Sequence, residues 1–391
     1  MRTGLNQEQL DLLTELAAAR DRRAVELMGA LPEASWAGLL NDLRRHGLGP
    51  LVADLVAKHG VPLPDRIRAE LRAQRDAAVL WHAVRTRDLD EVIGGLSAAG
   101  IPHMLLKGSA LALTLYERPW HRAAGDTDIL VPHERAPEAQ AVLVELGYAE
   151  EDRWDECHHL PYLRKGDHPA VEVHHDSLYA PTPDPGYTNF PVPFEQLADA
   201  GGWVTVHYRK ALVPSPVDSV LQLCSNFTSH IEESPARPLR WVRDLALLSA
   251  PQGGHAAWEQ VTARCAELAP GLMPYVALTA ALTGPFLAAT RGEAGGRLVA
   301  GLSSRQRALV ASLPLDRMVR EWYASPRRAL SIVSKLMGPR RAARWALRKV
   351  FVSREHIARQ VRRDPASPAV RFYPAAFVIH AVDHLRGPRT V

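Results

Sequence analysis

Residues 101–131 constrain the fold most strongly, because they read as a strand, a tight turn, a helix and a second strand. The segment is IPHMLLKGSALALTLYERPWHRAAGDTDILV. The short uncharged run at 101–106 predicts a buried strand, and the pattern at 110–116 predicts a helix. A second apolar run at 128–131 predicts another strand. Strands and helices that alternate in this way are typical of a core containing both.

Two aspartates stand at the start of the second strand. Asp126 and Asp128 flank Thr127, and side chains two residues apart share one face of a strand. Neighbouring carboxylates repel each other unless a cation lies between them. Mg²⁺ characteristically takes one or two carboxylates together with substrate phosphates. The pair therefore predicts a divalent-metal site, although an isolated acidic pair is more often a solvated strand end.

The turn Lys107-Gly108-Ser109 supplies a complementary feature. A strand that passes through a glycine turn into a helix aims backbone N–H groups at one point, where the helix dipole favours an anion. Lys107 adds a positive charge. A lone turn of this kind is usually only a turn. In this order beside the acidic pair, it favours a nucleoside triphosphate bound together with Mg²⁺.

The order of these motifs resembles the nucleotidyltransferase superfamily of the DNA polymerase β type. The shared features are LLKGSALA, Tyr116, Arg122, GDTDILV, VEVHH at 171–175 and HIEESPARPLRWVRDLALL at 230–248. Over roughly residues 65–250, the chain more closely resembles bacterial nucleotidyltransferase family proteins often found beside natural-product and peptide-modification genes. Thr127 stands where that family more often has an aliphatic residue, and Glu172 where it commonly has aspartate.

The resemblance implies a reaction and a set of roles. A nucleoside monophosphate (NMP) would pass from a nucleoside triphosphate (NTP) to a small-molecule or peptide acceptor, with release of pyrophosphate. The expected catalytic and metal-binding residues, which would hold two Mg²⁺ ions, are Asp126, Asp128 and Glu172. The expected nucleotide-binding residues are Lys107, Gly108, Ser109 and Arg122. The candidates for positioning the substrate are His174, His230, Arg240 and Asp244.

Alternation along 171–174 orients the third acidic residue. Val171 and Val173 are expected to face the core, and Glu172 and His174 the other side. A zinc site is a rival interpretation of the histidines, built from Cys157-His158-His159 and His174-His175. Its spacing matches no familiar closed zinc pattern, and the chain has no CxxC. Arg240 and Asp244, at helical spacing, are also open to a simpler reading as an ion pair.

Charge is distributed unevenly along the chain. The net charge is +4, yet residues 317–363 carry 14 Lys and Arg against two acidic residues, which leaves the remainder at −8. A basic segment on an acidic body suggests an anionic partner. This leaves open an RNA-binding or RNA-modifying nucleotidyltransferase, while solvated helix faces are the simpler explanation. A non-catalytic binding scaffold is a third possibility, against which the complete acidic set argues.

The cysteines and the apolar stretches bear on the compartment. Three scattered cysteines among 391 residues argue against a disulfide framework and for a reducing, cytoplasmic location. The polar N-terminus does not read as a signal peptide. Residues 270–290 lack charge but contain three prolines, so they predict core helices rather than a membrane span.

The expected fold class is α+β, with a small mixed-sheet nucleotidyltransferase core flanked by helical segments. The predicted divisions are an N-terminal helical segment at 1–96, the core at 97–210 and a C-terminal helical region at 211–391. The sequence further predicts helix caps at Asn6 and Ser35 and a long helix at 64–96. It also predicts a hairpin joining 159–164 to 169–174, and a strand at 203–208.

The basic segment allows a direct test against nucleic acid. If residues 317–363 grip phosphates, the logarithm of the association constant for RNA should fall linearly with the logarithm of salt concentration. We expect instead no RNA binding at physiological salt, because the arginines alternate with Ala, Leu, Val and Trp as in packed helices. Binding of labelled RNA measured across a salt series decides between the two, and a steep linear slope would favour the RNA-binding alternative.

Overall fold

A seven-stranded mixed sheet with helices packed against it forms the framework of the protein. The structure is a computed structural model that describes residues 5–150, 158–181, 187–229, 238–249, 256–287 and 293–312. The predicted α+β class is confirmed. His230, Cys157 and the basic segment 317–363 lie outside the described residues.

Five helices precede the sheet in the described part of the chain. They are α1 (Gln7–Ala17), α2 (Asp21–Ala30), α3 (Glu33–His46), α4 (Gly49–His59) and α5 (Asp65–Ala98). Asn6 caps α1 as predicted, because its side chain accepts from the Gln9 amide at 2.9 Å while Gln9 accepts from the Asn6 amide at 2.7 Å. The predicted cap at Ser35 is wrong, since α3 begins at Glu33 after Pro32.

Helix α5 extends slightly beyond the predicted long helix, through the glycine pair at its C-terminal end. Gly94 and Gly95 each cost roughly 1 kcal/mol of helix propensity. Neighbouring apolar side chains of the same stretch are nevertheless buried: Leu89, Val92, Ile93 and Leu96. Burying a large aliphatic side chain contributes about 1.5–3 kcal/mol, so packing outweighs the glycine penalty.

The strands combine parallel and antiparallel pairs. They are β1 (Met104–Leu105), β2 (Asp126–Leu130), β3 (Ala149–Glu150), β4 (Leu163–Arg164), β5 (Ala170–His174), β8 (Gly202–Val206) and β9 (Arg209–Val213), in the order β3-β4-β5-β2-β1-β9-β8. A separate hairpin pairs β6 (Tyr179–Pro181) with β7 (Tyr187–Asn189). Strand β2 runs parallel to β5 and antiparallel to β1. The predicted hairpin exists as the antiparallel pair β4 and β5, with Gly166 at φ +56° in its turn.

Three sequence-based boundaries differ from the structure. The strand expected at 101–106 forms ladder pairs only at Met104–Leu105, and helix α6 (Lys107–Thr114) begins three residues earlier than expected. The strand expected at 203–208 ends at Val206 as β8, and β9 follows it after a two-residue turn. Their turn contains His207 at φ +52° and Tyr208, and neither residue is a usual turn signal. Strand β9 crosses the predicted boundary between the core and the C-terminal helical region at position 210. The division of the chain into three segments stays a prediction.

The sheet separates two apolar layers, as side-chain alternation requires. Leu105, Ile129 and the valines of β5 pack with the second half of α5 and with α7 (Ala136–Glu145). Met104 and Leu130, on the opposite face, pack with the N-terminal bundle and with the helices that follow the sheet. Those helices are α9 (Pro216–Ser229), α10 (Pro238–Leu248), α11 (Trp258–Leu268), α12 (Met273–Thr283), α13 (Glu293–Ala300) and α14 (Ser304–Ser312), after the short α8 (Phe194–Ala200).

Within the uncharged stretch, the described residues 270–287 contribute to the core, as predicted. A 3₁₀ turn at Pro270–Leu272 leads into α12, whose side chains are mostly buried. In the part of the chain that the structure describes, no helix combines the length and apolar character of a membrane span.

Candidate active site

Parallel pairing of β2 with β5 brings two of the three expected catalytic residues together. In this register Asp128 lies opposite Glu172, and Leu130 lies opposite His174. Alternation then turns Asp128, Glu172 and His174 to the same face. Nε2 of His174 lies 3.0 Å from Oδ1 of Asp128 and 3.2 Å from Oε2 of Glu172. All three side chains are buried, so the cluster lies inside the protein.

Lys107 extends its ammonium group into this cluster. Its Nζ lies 2.7 Å from Oδ1 of Asp128 and 4.0 Å from Oε2 of Glu172. The same atom lies 3.4 Å from Nε2 of His174. Lys107 is the first residue of α6 and has φ +45°, a left-handed conformation that is costly for a residue with a side chain. The residue expected to meet phosphates thus pairs here with the expected metal ligands.

The charges of the cluster are strongly shifted by burial and by one another. Burial alone would raise the pKa of Asp128, but Lys107 and the hydrogen bond to His174 outweigh it and hold that pKa far below its usual range. Burial and the nearby Asp128 raise the pKa of Glu172 well above its usual range. Burial and then Lys107 lower the pKa of His174. The surroundings therefore favour the protonated form of Glu172, the neutral form of His174 and the carboxylate form of Asp128.

The ammonium itself is held in its charged form. Burial would lower the pKa of Lys107, but its electrostatic interaction with Asp128 first, and then those with Tyr179 and Glu172, outweigh burial and raise the pKa well above the ordinary value. An ion pair that forms away from water keeps most of its Coulomb energy because little solvent screens it. The cluster is therefore built to hold a positive charge next to Asp128.

Asp126 lies at the beginning of the same strand, one alternation before Asp128. Its Cα partner on β5 is Ala170, and its side chain is half-buried. The ligand atoms of Asp128, Glu172 and His174 lie within 4.8 Å of one another, and Asp126 is not part of that group. His174, expected only to position substrate, takes the third place beside the two carboxyls.

The glycine turn packs against Arg122. A Cβ atom added to Gly108 would lie 2.5 Å from Nη1 of Arg122 and 3.0 Å from Cβ of Ala124, so only glycine fits. The amide of Ser109 donates to the carbonyl of Leu106 at 3.2 Å. The Ser109 hydroxyl is buried and has no hydrogen-bond partner within the described chain. The close approach of the guanidinium is thus one physical reason for glycine at this position.

Arg122 is itself engaged by a residue far along the chain. Its Nη2 and Nε donate to Oδ2 of Asp244 on α10 at 2.8 and 3.2 Å, and the Tyr116 hydroxyl donates to Oδ1 at 2.6 Å. Arg122 and Asp244 are both buried. The simple i, i+4 pairing of Arg240 with Asp244 is wrong, because Arg240 donates to the carbonyl of Ala123 instead. Both α10 residues nevertheless reach the segment that leads into β2.

The rival zinc grouping is only partly assembled. His158 stacks on Tyr179 with ring centroids 3.6 Å apart, and it belongs to neither group of ligand atoms found among the described residues. A second group, not anticipated from the sequence, joins His133, His175 and Asp176 at the C-terminal ends of β2 and β5. Asp176 there already accepts from Asn189 Nδ2 at 2.7 Å.

Helix α5 contributes two residues, Trp81 and Arg85, that belong to none of the sequence motifs. Nε1 of Trp81 donates to the carbonyl of Ala124 at 3.0 Å. One turn later, Arg85 is buried and interacts electrostatically with Arg122, Asp126 and Asp128. The arginine lies in a long amphipathic helix that precedes every recognisable motif, so no local pattern marks it as a site residue.

The donor set fits a divalent cation. Asp128 and Glu172 offer carboxylate oxygens, which hard cations such as Mg²⁺ prefer, and His174 adds a nitrogen. The Lys107 ammonium, 2.7 Å from Asp128, indicates that a positive charge is favourable at this point. Ser109, two residues after Lys107, offers a further oxygen, because its buried hydroxyl has no hydrogen-bond partner among the described residues.

Comparison with known proteins identifies the family of the chain. A family model described as "Uncharacterised nucleotidyltransferase" matches residues 32–283, more than half of the chain. The chain belongs to this family. Membership makes this nucleotidyltransferase a transferase enzyme and implies an NTP substrate, because nucleotidyltransferases in general transfer an NMP from an NTP and use divalent metals.

A structural similarity was also found. It is to the solution structure of the antibiotic-resistance factor ANT(2'')-Ia, at 16% identity and a TM-score of 0.34, and it covers 48% of this chain and 95% of that chain. The comparison with curated proteins gave no match.

The raised pKa of Glu172 generates a stability prediction for this nucleotidyltransferase. When pH exceeds the unfolded-state pKa of about 4.3, the folded protein keeps a proton that the unfolded chain has lost, so the free energy of unfolding falls as pH rises. The glutamine side chain in Glu172→Gln is uncharged at every pH, so this variant should not undergo the same decrease in the free energy of unfolding. The variant should therefore gain stability over wild type between about pH 5 and about pH 8.

Urea unfolding in the presence of a chelator measures this difference at both pH values. Glu195→Gln, an exposed control on α8, should change stability little at either pH. A Glu172→Gln variant whose stability relative to wild type does not change with pH would show that Glu172 is ionised in the folded protein.

Proposed function

We propose that this protein is a Mg²⁺-dependent nucleotidyltransferase that transfers an NMP to a small-molecule or peptide acceptor in natural-product biosynthesis. The observation that carries the proposal is the buried cluster of Asp128, Glu172 and Lys107 at the beginning of α6. Family membership supports the general reaction. The acceptor class and the biosynthetic context rest on the resemblance of the motifs to bacterial relatives. The three scattered cysteines support a cytoplasmic location.

The acidic residues would hold the metal. Asp126, Asp128 and Glu172 are the proposed ligands for two Mg²⁺ ions, and His174 lies against two of them. When bound, such ions neutralise charge on the phosphate oxygens and orient the triphosphate and the acceptor. Glu172 holds a proton in the cluster because burial and Asp128 raise its pKa, so ligation of Glu172 requires that proton to leave.

Lys107 would change partners when substrate and metal are present. Its ammonium lies among the acids, where a divalent ion would repel it, and its flexible side chain extends from the first residue of α6. A lysine released from Asp128 can neutralise charge that develops on the phosphates. The backbone of Gly108 and the backbone and hydroxyl of Ser109 are the remaining proposed phosphate contacts.

The residues around α10 would act mainly by positioning. Asp244 holds Arg122 through two hydrogen bonds, so its proposed role is to fix the guanidinium against Gly108. Arg240 donates to the carbonyl of Ala123, three residues before the first residue of the acidic strand. His174 orients the carboxyls of Asp128 and Glu172. His230 keeps its place as a candidate for positioning the acceptor from sequence alone.

The reaction is tested by incubating the protein with each of the four NTPs, Mg²⁺ and candidate acceptors. Pyrophosphate release and the mass of the product are measured. Asp126→Asn and Asp128→Asn should each lower turnover about a thousandfold or more, because loss of a ligand removes several kcal/mol of charge stabilisation. Asp167→Asn, in the exposed hairpin turn, is the matched control and should keep the wild-type rate.

Two results would overturn the proposal. The first is an absence of pyrophosphate with all four NTPs and a broad acceptor panel. The second is near wild-type turnover by the Asp126 and Asp128 variants at saturating Mg²⁺.

The exchange of Lys107 is tested by metal binding without any turnover. In Lys107→Met the ammonium no longer competes with a divalent ion, so Mn²⁺ should bind more tightly to the nucleotide-free variant than to wild type. Nucleotide binding in the presence of metal should weaken. Calorimetry with Mn²⁺ and then with a non-hydrolysable NTP measures both. Lys165→Met, which removes a surface partner of Glu91, is the control, and equal Mn²⁺ affinity in Lys107→Met and wild type would contradict the exchange.

A further inference from the structure

Arg85 differs from the other buried arginines in having no direct partner. Arg122 pairs with Asp244, and Arg243 donates to Asp21 at 2.8 and 2.9 Å and to a backbone carbonyl of α1. Arg85 is only 4% exposed, and within the described chain it forms no ion pair and no hydrogen bond. The Arg85 side chain is therefore a largely buried cation whose guanidinium donors have no acceptor among the described residues.

Such a group is expensive unless something compensates it. An unpaired charge removed from water destabilises the folded protein, and a structural arginine usually recovers this through a carboxylate or through carbonyl groups. Burial first, and then the neighbouring charge of Arg122, lower the pKa of Arg85 to about 10. Arg85 therefore remains protonated at neutral pH, and the cost of its burial persists.

The surroundings indicate what could compensate the charge. Trp81, one helical turn before Arg85, is fastened to the carbonyl of Ala124, so this face of α5 lies against the segment that enters β2. The charges that act on Arg85 are those of Arg122, Asp126 and Asp128. Arg85 thus lies within electrostatic range of a second arginine and of the acidic pair, a combination that suits an anion carrying a metal ion.

Arg122 can offer such an anion only part of its guanidinium. Its Nε and Nη2 are occupied by Asp244, and its Nη1 lies against Gly108 and donates weakly to the carbonyl of Ala123 at 3.3 Å. Arg85 keeps its whole planar fork. An arginine fork matches two oxygens of a phosphate group, which a lysine does not.

We propose that Arg85 binds a phosphate group of the nucleoside triphosphate. This inference rests on the proposed function and deepens it: α5, which lies outside the predicted nucleotidyltransferase core, supplies a direct substrate contact. The phosphate oxygens accept the hydrogen bonds that the described chain leaves unmade at Arg85. The ligand recognised is the polyphosphate, so the contact is independent of the base and of the acceptor.

Calorimetric titration with inorganic tripolyphosphate, and with a non-hydrolysable NTP, in the presence of Mg²⁺ tests the assignment. Both should bind wild type, and Arg85→Met should weaken both by about tenfold to a hundredfold, the worth of a charge-assisted hydrogen bond. The affinity of Arg85→Lys for each ligand should lie between those of wild type and Arg85→Met, since lysine keeps the charge but lacks the planar fork of arginine. Arg87→Met, exposed on the same helix, should leave both affinities unchanged.

Stability in the absence of ligand separates binding from a structural role. Because Arg85→Met removes an uncompensated buried charge, its thermal unfolding midpoint without ligand should equal or exceed that of wild type. A large decrease would overturn the proposal, since it would mark Arg85 as a structural residue. Equal ligand affinity in wild type and Arg85→Met would overturn it while leaving the proposed function intact. Failure of wild type to bind either ligand would overturn both.

Discussion

The ion pair between Lys107 and Asp128 is the interaction on which the arrangement of this protein depends. Parallel pairing of β2 with β5 forces the carboxyl of Glu172 beside that of Asp128 under a covered sheet face. Two buried carboxyls whose oxygens lie within 4.8 Å of each other need a cation or a shared proton. In this protein Lys107 supplies the cation next to Asp128. Burial and Asp128 also raise the pKa of Glu172, which favours its protonated form. The start of α6 at Lys107, with φ +45°, follows from the position that the ammonium must reach.

Buried charges also tie the helical segments to the sheet. Asp244 of α10 holds Arg122, and Arg243 of the same helix holds Asp21 at the start of α2. Asp54 of α4 accepts from Trp120 at 3.2 Å, in the loop before the acidic strand. The segments before and after the sheet therefore converge on the residues that lead into β2. A site of this kind draws its groups from much of the chain, which is why Arg85 on α5 takes part in it.

Prediction from sequence succeeded where the signal was local. The acidic strand, the glycine turn, the cap at Asn6 and the alternation that joins Glu172 to His174 each depend on residues a few positions apart. It failed where packing overrode local preference. His207-Tyr208 turns the chain between β8 and β9 although neither residue is a usual turn former, so the strand expected at 203–208 ends at Val206.

The sequence by itself determined the kinds of groups available and their order: a lysine-glycine turn, an acidic pair and a third acid next to histidine. Those features depend on spacing of two to four residues, which strand and helix geometry converts directly into shared faces. Only the tertiary structure decided which groups meet. It paired Lys107 with Asp128 rather than leaving it toward solvent, gave Asp244 to Arg122 rather than to Arg240, and left Arg85 without a partner. The reason is that strand register and burial set the energies of these charges, and both arise from contacts between residues far apart in the chain.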